Sequence, residues 1–150
     1  PAATWALLQQ GLATWPLAEM AVVGSSLGGF YATAVAEATG CPAVLLNPAV
    51  NPARDLARHT GMQTQFHAPD EIFFFDPAFI DELRALTVPA ITRPQRYAAV
   101  IAQGDEVLSW QEMTGRYPGA HIRLLPGSDH ALSDFDHHLP FVLEFLKLCD

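Results

Sequence analysis

Three short segments of this sequence carry side chains that together could perform acyl transfer. Ser26 lies in Gly24-Ser25-Ser26-Leu27-Gly28, a G-x-S-x-G pattern. Asp105 follows in Gly104-Asp105-Glu106-Val107, and His130 in Gly127-Ser128-Asp129-His130. A serine hydroxyl is a weak nucleophile until a base accepts its proton and a third group orients that base. The chain supplies hydroxyl, carboxyl and imidazole in that order, the order that accompanies a nucleophile on a sharp strand-to-helix turn.

Each member has a plainer reading. A glycine-rich turn before a helix also suits phosphate binding. That reading lacks its other parts here: G-x-x-x-x-G-K-[ST] and G-x-G-x-x-G are absent, Lys147 is the only lysine, and no acid ends the strand near Leu46. Asp105 equally suits the cap of a following helix. Glu106 and Asp129 are rival acids. Glu106 is expected to point away from the direction of its neighbour Asp105, and Asp129 stands too close in sequence to brace the His130 ring. The run from His130 through Asp134, Asp136, His137 and His138 invites a metal but meets no known ligand spacing. No metal and no cofactor is expected. Cys41 precedes an apolar run and reads as a small core residue.

The three segments must be held by something, and apolar runs alternating with helix-like stretches supply it. Ala2–Gln10 reads as a short helix. Met20–Val23 reads as a buried strand closed by Gly24, followed by a helix over Leu27–Ala38 that stops near Gly40. Ala43–Leu46 is a second buried strand, Tyr97–Ala102 a third and His121–Leu125 a fourth. Helices are expected at Ala53–His59, Pro77–Leu86, Ser109–Arg116 and Leu139–Leu148. This alternation predicts an α/β fold, a mostly parallel sheet with helices on both faces. Each candidate side chain then follows a strand's C-terminal end, where open parallel sheets hold their sites. Residues 52–96 exceed what one crossover needs. Within them Phe73-Phe74-Phe75 is either a buried strand or core cluster, or the aromatic face of a lid.

In the elbow, Gly24 and Gly28 are expected to leave room where a Cβ would strike backbone. The helix from Leu27 aims its N-terminal amides at the oxygen that turns negative, making the Leu27 N–H the first oxyanion donor.

Composition bounds the partners. The chain has 150 residues, half of them apolar, with sixteen acidic against eight basic residues and a net charge of −8. That suits a single domain over 1–150 and disfavours nucleic acid, which calls for a basic surface. No run reaches the length of a membrane span. Two cysteines and no basic leader favour a reducing, cytoplasmic setting.

Val22–Thr33 with its GSSLGGFYAT core, Pro42-Ala43-Val44, Leu46-Asn47-Pro48-Ala49-Val50, Gln103–Leu108 and Gly127–Ala131 resemble the YqiA/YcfP family of small bacterial α/β-hydrolases. The resemblance implies the α/β-hydrolase fold and an esterase or thioesterase, with acyl-CoA-type thioesters among its substrates. It also implies a Ser26, Asp105, His130 triad acting on a small-molecule ester or thioester. Asn47 and Ser25 become pocket candidates, although Asn47 equally forms the turn before Pro48. Members of this family open with a strand and a His-Gly-Phe-x-Ser-Ser-Pro loop that carries the second oxyanion donor. No such segment occurs here, so N-terminal strands are expected to be missing upstream. Two rival functions stay open: a non-catalytic binding module on the same fold, and an acyltransferase with an alcohol acceptor.

Overall fold

A computed structural model describes residues 1–65, 68 and 70–148. In chain order its elements are α1 (Ala2–Leu12), β1 (Val22–Ser25), α2 (Leu27–Thr39), β2 (Ala43–Leu46), α3 (Pro52–Leu56), β3 (Gly61–Thr64), β4 (Ile72–Phe75), α4 (Ala78–Leu86), β5 (Tyr97–Ala102), α5 (Trp110–Arg116), β6 (His121–Leu125) and α6 (Leu139–Phe145). The chain divides into two compact units. One comprises Pro1–Thr14 and Asn51–Thr87, the other Trp15–Val50 and Val88–Asp150.

The larger unit holds a parallel sheet in the order β1-β2-β5-β6. All of β5 is buried, and all of β2 but its last residue, as expected of inner strands in a parallel sheet covered on both faces. Successive side chains alternate between those faces. Val44, Ala98, Val100 and Ala102 join Leu125, Leu132 and Val142 of α6 in one core cluster. Tyr97 has the opposite parity. Its ring stacks on Tyr117 just beyond α5, with centroids 6.1 Å apart, and its hydroxyl donates to Glu37 of α2 at 2.6 Å. Burying each Val- or Leu-sized side chain contributes about 1.5–3 kcal/mol, so this two-sided core is the main force fixing the strand ends.

Several boundaries move. β1 begins two residues later than the apolar run suggests, and Val23 is 51% exposed. Among the described residues β1 is an edge strand that pairs only with β2. Its pairing extends past the apolar residues to Ser25 opposite Leu46, and the Ser26 N–H donates to Leu46 O at 2.9 Å. The ladder, not hydrophobicity, sets its end. α2 stops where expected, with Gly40 left-handed at φ 76° and its N–H donating to Ala36 O. α6 ends at Phe145 rather than Leu148, because Lys147 turns to φ 56°. Cys149 lies outside the described residues; Cys41 is buried, as a core residue should be.

In the smaller unit, the helix expected over Ala53–His59 is the short α3 (Pro52–Leu56), continued by a 3-10 turn over Ala57–His59. Pro52 occupies its first turn and Asn51 Oδ1 accepts the Arg54 N–H at 3.2 Å. The aromatic run does not form a buried strand. β4 pairs antiparallel with β3, placing Phe74 opposite Met62. Ile72, Phe74 and Met62 share one face of this ribbon, and all three are more than half exposed. A two-stranded ribbon has no neighbouring strand to complete a layer, so β propensity alone did not imply burial.

Candidate active site

Ser26 occupies the turn between β1 and α2 with φ 52° and ψ −122°, a region that L residues rarely adopt. Three backbone bonds hold it there: its N–H to Leu46 O, and its carbonyl accepting the N–H groups of Gly29 and Ala49, all at 2.9 Å. It is the N-cap of α2, yet its side chain makes no capping bond. Ser26 Oγ instead lies 3.0 Å from His130 Nε2.

The glycines around the turn act differently from the expectation. A Cβ on Gly24 would overlap the Gly28 carbonyl and come within 2.8 Å of Ala32 Cβ. A Cβ on Gly28 itself would enter open space, whereas one on Gly29 would meet Pro48 Cβ at 2.6 Å. The steric requirement therefore sits at Gly24 and Gly29. Gly28 contributes its backbone, which approaches Gly24, while its own Cβ direction faces outward.

His130 Nδ1 lies 2.8 Å from Asp105 Oδ2. The Asp105 side chain is fully buried and that of His130 is 22% exposed. A carboxylate can only accept, so Nδ1 carries the proton in the neutral ring and Nε2 is free to accept the Ser26 hydroxyl. Asp105 Oδ1 accepts the N–H groups of Val107 and Leu108, each at 2.8 Å. It does not cap α5; that role falls to Ser109, whose Oγ accepts the Glu112 N–H at 3.3 Å. The turn at Val107–Leu108 thus aims the carboxylate at the imidazole.

The rival acids also have definite positions. Glu106 does not reach the ring, which Asp105 holds; its Oε2 accepts the His130 backbone N–H at 3.0 Å. Asp129 does not touch the ring. It accepts the Ser133 N–H and hydroxyl at 3.0 and 2.7 Å, and these bonds hold its carboxyl below the ordinary aspartate value. Asp134 accepts the Ser128 hydroxyl and pairs with His138 Nε2 at 3.0 Å. Those two partners, the hydroxyl first, lower its pKa. Among the described residues no group of three or more His, Cys, Asp or Glu side chains converges as a metal site would.

Of the remaining candidates, Leu27 stands at the first position of α2, where an amide has no intrahelical acceptor. Ser25 ends β1 with its side chain exposed. Asn47 does more than turn the chain. It is completely buried, with φ 40°. Its Oδ1 accepts the Ala102 N–H at 2.8 Å, and its Nδ2 donates to Asp129 O and His130 O at 2.9 and 3.1 Å. A buried amide is drawn inward because its polar atoms need partners, and the ends of β5 and the His130 loop offer them.

Gly104 was missed by sequence reasoning. A Cβ there would overlap the Ser128 carbonyl, so the segments bearing Asp105 and His130 meet backbone to backbone. Its signal was present, a glycine directly before each segment's polar residues, but the contact joins positions far apart in the chain.

A family model described as "Uncharacterised protein family (UPF0227)" matches residues 2–147. The chain belongs to this family. UPF0227 is the YqiA/YcfP family that the motifs resemble. Among solved structures, a protein from Agrobacterium vitis S4 aligns with a TM-score of 0.66 at 20% identity, over 85% of this chain and 62% of that one. Alpha/beta hydrolase domain-containing protein 10 from mouse aligns with 0.57 at 19%, over 81% and 58%. Est1E from Butyrivibrio proteoclasticus aligns with 0.54 at 16%, over 86% and 58%. At such identities the likeness establishes the fold, and this UPF0227 chain has the α/β-hydrolase fold. It spans about three-fifths of the length of these structures. Among the described residues no helix is long and apolar enough to cross a membrane.

Proposed function

We propose that this UPF0227 chain carries the catalytic residues of a serine hydrolase that cleaves a carboxylic ester or acyl thioester through an acyl-enzyme. One observation carries the reading: the unbroken line from Ser26 Oγ to His130 Nε2 at 3.0 Å and from His130 Nδ1 to Asp105 Oδ2 at 2.8 Å. Both distances fall within the range over which a base can take a proton in place.

In the proposed reaction the Ser26 hydroxyl gives its proton to His130 Nε2 as Oγ bonds to the substrate carbonyl carbon. The carbonyl oxygen takes the electron pair and is stabilised by the Leu27 N–H at the positive end of α2. Asp105 offsets the charge on the imidazolium. As the tetrahedral species collapses, His130 returns the proton to the departing alcohol or thiol, leaving an ester on Ser26. Water, deprotonated by the same nitrogen, then releases the acid and restores the serine. The fold shared with Est1E and mouse Alpha/beta hydrolase domain-containing protein 10 supports this class of chemistry.

Reaction of the full protein with a fluorophosphonate probe tests the proposal. Covalent attachment at Ser26 is expected, lost in Ser26→Ala and His130→Ala. Asp105→Asn should label about 10⁴-fold more slowly, because an amide can keep its oxygen on Val107 and Leu108 while its NH₂ forces the proton onto Nε2. Absence of labelling in the wild-type protein, or labelling that survives Ser26→Ala, overturns the reading. Product analysis with added alcohol separates hydrolysis from acyl transfer to an alcohol.

A further inference from the structure

The contacts around His130 extend beyond its ring. Two peptide groups flank the Cα of any residue, and their orientations fix the direction of its Cα–Cβ bond. At His130 both are tied. In the preceding peptide, Asp129 O accepts from Asn47 Nδ2 and the His130 N–H donates to Glu106 Oε2. In the following peptide, His130 O accepts from the same Asn47 Nδ2. The third bond of the Asn47 amide, from the Ala102 N–H to Oδ1, anchors it to the end of β5, three residues before Asp105. One buried side chain therefore references the His130 backbone to the strand that delivers the acid.

We propose that Asn47 and Glu106 are positioning residues for His130, together aiming its imidazole at Ser26 by holding the backbone that bears it. This rests on the triad reading above. The loop needs such restraint. Ser128 and Leu132 on either side of His130 have φ 65° and 51°, values that non-glycine residues keep only when surrounding contacts over-determine them. Asn47 is itself left-handed, a conformation asparagine tolerates better than most residues. The chemistry of its amide is specific: the site demands one acceptor toward Ala102 and two donors toward the loop. Aspartate retains the acceptor toward Ala102 but loses both donors and turns an oxygen toward the two carbonyls, so Asn47→Asp breaks the bonds to the His130 segment and repels it while keeping the bond to β5. Asn47→Gly accepts the left-handed backbone and removes all three.

The test uses the full protein with two readouts. The first is fluorophosphonate labelling of Ser26 together with kcat and KM on a p-nitrophenyl ester. The second is the proton resonance of His130 Nδ1–H, which a hydrogen bond to a carboxylate shifts far downfield. Asn47→Asp and Glu106→Ala are expected to slow labelling and to lower kcat by about 10- to 100-fold and a few-fold respectively, with KM little changed, as misplacement of a reacting group would. The downfield resonance should broaden or disappear in Asn47→Asp. Wild-type kcat with an unaltered resonance in a folded Asn47→Asp overturns the proposal, as does a rise in KM at constant kcat. If neither Asn47 variant folds, the exposed Glu106→Ala decides: slower labelling at unchanged Tm supports the grip, and unchanged labelling overturns it. A wild-type protein that never labels yet loses the resonance in Asn47→Asp would refute the hydrolase reading while upholding the positioning role.

Discussion

At Ser26 two ordinary preferences of serine are set aside together. Its φ of 52° lies where non-glycine residues are strained, at a cost on the order of 1–3 kcal/mol. Its hydroxyl leaves α2 without a side-chain cap, forgoing about 1 kcal/mol. Such concessions are typical where a side chain is held for chemistry. Glycine accepts the backbone without strain, so Ser26→Gly should be more stable than Ser26→Ala by about 1 kcal/mol, although both lose labelling. Equal melting temperatures for the two variants would argue against strain at this residue. The three positions Ser26, Asp105 and His130 were legible because a hydroxyl, a carboxyl and an imidazole each follow an apolar run, in the order that accompanies a G-x-S-x-G strand-to-helix turn. The roles of Asn47 and Glu106 were not, since a buried amide reveals its purpose only through the carbonyls it meets. Glu106 was read only as a rival acid, because its partner, a backbone N–H, lies in a loop far along the chain.

Among the elements, β2, β5 and the end of α2 could be read directly, since continuous apolar runs and a glycine stop reflect burial on both sheet faces and a left-handed cap. The bounds of the edge strand β1 and the exposure of the β3–β4 ribbon could not, because pairing rather than burial defines them. The elbow glycines make the same point more sharply. A G-x-S-x-G pattern announces a tight turn but not which Cβ directions meet backbone. From the observed clearances, Gly24→Ala should destabilise the protein by about 1–3 kcal/mol or more, since the obstructing Gly28 carbonyl belongs to the helix and cannot swing aside. Gly28→Ala, pointing into open space within a helix, should instead raise stability by about 0.4–1 kcal/mol. Denaturant midpoints for the pair check both signs. A destabilised Gly28→Ala would show that the open space is not there.

Over the molecule as a whole, the larger unit carries an acid-sensitive tie. Partial burial raises the Glu37 pKa, but hydrogen bonds from the Thr92 hydroxyl, the Tyr97 hydroxyl and the Thr92 N–H, with the charge of Arg93, lower it by more. The Tyr97 phenol is correspondingly pushed well above its ordinary value, first by burial and then by Glu37. A carboxyl depressed on folding stabilises the fold above its unfolded pKa, and that contribution disappears as pH falls through the lowered folded value. Glu37→Gln should therefore lower Tm at neutral pH, and the gap to wild type should close on acidification below the usual glutamate range. A gap that stays constant with pH would exclude this linkage. The backbone contact of Gly104 with Ser128 has a different reach. Because the carboxylate and imidazole segments abut without an intervening side chain, neither can be swapped for a homologous loop alone. A designer wishing to retarget this scaffold would have to transplant both as one cassette, and leave the serine behind.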